Sequence, residues 1–116
     1  MAIPVFINGV MEPNALIAKY EAVLKERPND ELIRFSLGKA LLDAGRLEEA
    51  EEQLRLALEA KPDWMVVTML VAKCALRRGD KAGARALYEN ALQLAIDQQH
   101  EGPEEEVRAA LAELGS

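Results

Sequence analysis

The feature that most narrows what this chain can fold into is that it repeats itself at an offset of 34 residues. Leu37, Gly45, Ala50, Leu54, Ala57 and Leu58 are followed, 34 positions on, by Val71, Gly79, Ala84, Tyr88, Ala91 and Leu92, each of the same size class. The register extends backwards as well, because Tyr20, Val23 and Leu24 stand 34 positions ahead of Leu54, Ala57 and Leu58. Each copy carries two apolar stripes at helical spacing around a glycine, so the repeating unit reads as helix, tight turn, helix. Helices of about 13 to 19 residues are marginal alone in water, so these must bury their small-residue stripes against neighbours. The expected fold class is all-α, with about six helices in one domain.

Taken in order, residues 1–13 are punctuated by Pro4, Gly9 and Pro13, with Ile3, Val5 and Ile7 alternating, and read as an extended N-terminal arm. Val5, Phe6 and Ile7 could pack on a helix face of this chain or of a neighbour. Residues 14–27 form a half-repeat helix with Asn14 as its N-cap. The first full repeat, 28–62, has Asp30 capping one helix, Gly45 ending it and Pro62 closing the second helix, after which Asp63 opens the next. Gly38 stands where a side chain would hold two helices apart. The second repeat, 63–96, begins with the apolar run WMVVTML, which implies cover on more than one side or a facing partner. Ile96 replaces a closing proline, so that helix should run on to about Gln99. A helix over 103–115, opening at Pro103 and acidic outside, is suited to capping the stack.

Charge argues against some partners. The net charge is −6, with five basic against three acidic residues over 63–95 and one against six over 96–116. No aromatics interleave the basic residues, so nucleic acid is not expected as a partner. No apolar run reaches the roughly 20 residues of a membrane span, and one Cys with one His leaves no disulfide framework or multi-ligand zinc site. The chain is expected to be soluble and cytoplasmic, with no membrane partner.

A 34-residue period with Leu37, Gly38, Leu41, Ala50, Leu54, Ala57 and Pro62 in the first copy resembles the tetratricopeptide repeat family. The slot that usually holds Trp holds Arg34, with Thr68 as its equivalent in the second copy. The resemblance implies a right-handed superhelix of antiparallel helix pairs, whose concave side is lined by the first helix of each repeat. Leu32, Phe35, Lys39 and Leu42 would come from one copy, and Val66, Met69, Lys73, Leu76 and Arg77 from the next. Such a lining, apolar with basic points, suits an extended or helical peptide with apolar anchors and acidic groups. In relatives that grip acidic C-terminal tails, basic residues pair with Asn; here those slots hold Ser36 and Leu70.

Catalytic chemistry finds no footing. His100 lies in a polar helix end with no nucleophile nearby, and Cys74 lies in an apolar helix with nothing to activate it. The acidic clusters 48–52 and 104–106 are on helices, where carboxylates do not converge on a metal. Trp64 and its neighbouring Met read as packing. The expected function is therefore a non-enzymatic protein-interaction module without cofactors, binding a segment of another protein. Two alternatives stay open: a homodimeric scaffold joined through the Trp64–Val71 face or the N-terminal arm, and a secretion-type chaperone.

Overall fold

In a computed structural model, residues 6–7 and 10–115 are described, with side chains from residue 12 onward. The described chain is built from six α-helices preceded by a minimal strand pair. It divides into two compact units, Met1–Ala60 and Lys61–Ser116, parted where one repeat gives way to the next.

In the first unit, β1 (Phe6–Ile7) pairs antiparallel with β2 (Val10–Met11), Phe6 opposite Met11 and Ile7 opposite Val10. The segment expected to be extended thus turns back on itself; the expected docking of Val5, Phe6 and Ile7 concerns side chains outside the described residues. Helix α1 spans Pro13–Glu26, α2 Glu31–Asp43 and α3 Leu47–Ala60, and α2 packs against both of the others. Asn14 does not cap α1. Glu12 is its N-cap, the Glu12 carbonyl accepting from the Ala15 and Leu16 amides at 3.0 and 3.1 Å, because the fixed φ of Pro13 fits the first helical position and starts the helix one residue earlier. Asp30 does cap α2, its Oδ1 accepting from the Ile33 amide at 3.1 Å.

The packing of α2 on α3 turns on Gly38. A Cβ built there would lie 2.7 Å from Leu54 Cγ and 2.8 Å from Leu54 Cδ2, inside any real contact distance. Only hydrogen lets the two helices approach this closely. The turn between them is a Schellman closure: Gly45 adopts φ 79°, its amide donates to the Leu42 carbonyl, and the Arg46 amide donates to the Leu41 carbonyl at 2.9 Å.

The second unit repeats this plan. Helix α4 spans Met65–Arg77, α5 Lys81–Asp97 and α6 Glu101–Gly115, with α5 packed against both α4 and α6. Gly79, at φ 86°, closes the α4–α5 turn as Gly45 closes the first. The core joins Met65, Met69, Ala72 and Ala75 of α4, Ala84, Tyr88, Ala91 and Ala95 of α5, and Val107 of α6. Asp63 does not open α4. Trp64 is the N-cap, with no side-chain cap, and the Asp63 carbonyl instead accepts from Gln98 Nε2 at 3.0 Å. Helix α5 is three residues longer than α3 and ends at Asp97, short of the expected Gln99, which instead adopts φ 58° in a third Schellman turn. Helix α6 starts at Glu101 rather than Pro103, because the His100 carbonyl already accepts from the Glu104 amide at 3.0 Å and leaves Pro103 inside the first turn.

Candidate functional site

The residues expected to meet a partner lie on α2 and α4 at intervals of three and four, which puts each set on one side of its helix. On α2, Leu32 is 60% exposed, Phe35 is half-buried and Lys39 is exposed, whereas Leu42 is 7% exposed. On α4, Val66 is 44% exposed, Lys73 is half-buried, Leu76 is 37% exposed and Arg77 is exposed. Met69 is 6% exposed and belongs to the core of its unit. The side-chain surface on offer therefore comes from Leu32, Phe35 and Lys39 on one helix and from Val66, Lys73, Leu76 and Arg77 on the other.

The register relates the two sets. Leu32 and Val66 are 34 apart, as are Lys39 and Lys73, so each full repeat carries an exposed large aliphatic residue in the first turn of its first helix and a lysine two turns on. Lys73 Nζ stands 3.6 Å from Glu106 Oε1 of α6. Ser36, in one of the two Asn slots, spends its hydroxyl on the Leu32 carbonyl of its own helix at 3.0 Å.

Two local arrangements were not foreseen. Arg34, in the slot that usually holds Trp, donates from Nη1 to Gln53 Oε1 at 2.9 Å and from Nη2 to the Pro28 carbonyl at 2.7 Å, tying α2 to α3 and to the turn before it. Trp64 edges a cleft of about 420 Å³ in the second unit, lined also by Lys61, Val66, Gln98, His100 and Pro103, with Lys61 Nζ 5.4 Å from the indole centroid. No sequence signal joins Trp64 to residues more than 30 positions away. Tyr88 is buried, which pushes its phenol above the ordinary value, and the charges of Glu106 and Glu113 push it further. Among the described residues, no group of three or more His, Cys, Asp or Glu could hold a metal ion, and no helix is long and apolar enough to cross a membrane.

Short antiparallel helix pairs, each closed by a left-handed glycine and recurring at 34 residues, define a helical-repeat protein. Residues 14–74 match the family model for the tetratricopeptide repeat. The chain is also 34% identical over 99 residues to the TPR repeat-containing protein PA0015 of Pseudomonas aeruginosa, covering 85% of this chain and 94% of that protein. It belongs to the tetratricopeptide repeat family. Among solved structures it is similar to protein BPP2914 from Bordetella parapertussis, at 29% identity and a TM-score of 0.77 over 86% of this chain and 87% of that one. It shares its fold with the Yersinia enterocolitica type III secretion chaperone SycD, solved in complex with a peptide of the translocator YopD, at 17% identity and a TM-score of 0.79 over 88% of this chain and 78% of that one.

Proposed function

We propose that this chain is a non-enzymatic interaction module that binds partner polypeptide, α2 in the first unit and α4 in the second each presenting an exposed stripe to it. The observation that carries the reading is the matched exposure of Leu32 and Val66, each followed seven residues on by Lys39 or Lys73. One exposed aliphatic residue is ordinary on any protein. Its return at the same repeat position, with the same cation behind it, is what a recognition stripe requires and what core packing alone does not. Apolar anchors give affinity in this mode, and the lysines select acidic groups beside those anchors. Leu42 and Met69 would support the stripe from beneath.

Affinity capture from the native cell tests this, with Lys39→Glu plus Lys73→Glu as the control. A specific partner recovered by the wild-type chain and lost with the double variant is the expected result. Equal recovery by both chains would count against the reading. The fold shared with SycD, which takes a YopD peptide, supports a peptide-holding role in general terms and bears on this chain through fold alone.

A dimeric scaffold draws less support. Of the run Trp64–Val71, the side chains of Met65, Val67, Thr68, Met69 and Val71 are buried within the chain itself, which accounts for the apolar run without a second copy. Light scattering across a concentration series is expected to give one chain mass throughout.

A further inference from the structure

We infer that Glu106 of α6 is a built-in occupant of Lys73, which an acidic group of a bound segment must displace. This rests on the recognition stripe proposed above and adds to it a restraint that acts in only one of the two repeats.

The repeat supplies its own comparison. Lys39 and Lys73 occupy equivalent positions, yet Lys39 is exposed and makes no ion pair with another described residue, whereas Lys73 Nζ lies 3.6 Å from Glu106 Oε1. The first repeat therefore offers its lysine openly, while the second offers one already facing a carboxylate. The contact is built to exchange: 3.6 Å is beyond good hydrogen-bond distance, and the two side chains keep 43% and 58% of their exposure, so water reaches both. One turn beyond Lys73, Arg77 is exposed and pairs with no described carboxylate, so an incoming acidic group could reach a second cation as it displaces Glu106. An exposed ion pair of this kind contributes at most about 1 kcal/mol, which is about a two- to five-fold penalty on affinity, enough to tune a weak interaction but not to block it.

The full-length chain, Glu106→Gln and Lys73→Met are compared, with circular dichroism confirming equal helicity. The first readout uses no peptide. Under dilute N-hydroxysuccinimidyl acetate, Lys73 is expected to acylate about two- to five-fold faster in Glu106→Gln, because the Glu106 carboxylate no longer holds its side-chain nitrogen, with Lys39 unchanged as internal reference. The second readout is anisotropy titration with a fluorescein-labelled amphipathic peptide of leucine and glutamate, and with its leucine-lysine counterpart. Glu106→Gln is expected to bind the acidic peptide about two- to five-fold more tightly and to lose that gain when combined with Lys73→Met, with no gain for the basic peptide. Equal acylation of Lys73 in both chains would overturn the inference at the contact itself. A changed acylation rate with unchanged affinity would overturn it at the competition step. If neither chain binds the acidic peptide while acylation still differs, the recognition of acidic segments fails, and the inference falls with it for that separate reason.

Discussion

Replacing Gly38 by alanine sets two physical effects against each other, and the sign of the outcome tells which one governs the α2–α3 interface. In a helix interior alanine is favoured over glycine by about 1 kcal/mol, so propensity alone would make the variant more stable. Against this, the new methyl would sit 2.7 Å from Leu54 Cγ and 3.4 Å from the Ala50 carbonyl oxygen. Leu54 is fully buried, and the nearest clash is at its branch point rather than at a mobile tip, so the side chain cannot swing aside without displacing its neighbours. Overpacking of this type costs about 1–3 kcal/mol, which leaves a net loss of up to about 2 kcal/mol, or a fall in Tm of up to about 8 °C for a chain of this size. Urea denaturation followed at 222 nm measures it, and Leu54→Ala supplies the diagnostic background. That truncation is costly by itself, but it removes the atoms the methyl would strike. Within it, Gly38→Ala is expected to become stabilising by about 0.5–1 kcal/mol. A stabilising Gly38→Ala with Leu54 intact would refute the close-approach argument.

Gln99 closes α5 at φ 58°, a conformation that costs a non-glycine residue about 1 kcal/mol, so Gln99→Gly is expected to raise the Tm by a few degrees in a thermal melt. Asp30→Ala removes the cap on the Ile33 amide and is expected to cost about 1 kcal/mol, with faster hydrogen exchange at Ile33 and Arg34 as the local signature. The hydrogen bond from Arg46 holds the Glu49 carboxyl below the ordinary value. Because the folded-state pKa is the lower one, whatever stability the pair gives is present above the ordinary carboxylate range and is lost as pH falls through the lowered value. An NMR pH titration is expected to place the Glu49 midpoint below the ordinary glutamate value and to raise it to that value in Arg46→Met. Cys74 is fully buried, so its reaction with a thiol-selective reagent is expected to follow the rate of unfolding, not the intrinsic thiol rate.

What could be read ahead of the structure, and what could not, follows from what each kind of signal encodes. Gly45 and Gly79 were legible as turn residues because a left-handed φ is nearly reserved for glycine, and both adopt it. The third such turn was not legible, since glutamine carries no mark of that conformation and Gln99 is held there by its neighbours. The strand pair of Phe6–Ile7 with Val10–Met11 does carry a mark in the sequence, since Asn8-Gly9 between them is a dipeptide favoured in two-residue hairpin loops. The pairing of Lys73 with Glu106 had none, because the two are far apart in sequence and belong to no common pattern.

The stripes on α2 and α4 show where periodicity itself stops. At about 100° per residue, positions 32, 35, 39 and 42 fall within about 80° of arc, and so do 66, 69, 73 and 76, so the pattern names one side of each helix. It says nothing of depth. Leu42 and Leu76 are equivalent in register and differ in exposure, at 7% and 37%, while Phe35 is half-buried and its equivalent Met69 is core. An angle around a helix axis is a local quantity, whereas depth depends on which other elements arrive over that angle, and those lie tens of residues away. A stripe of apolar residues is thus the same signal whether it ends as core or as recognition surface. Only Leu32 with Val66, both exposed, and Lys39 with Lys73, exposed and half-buried, recur in both copies in a form that a core does not need.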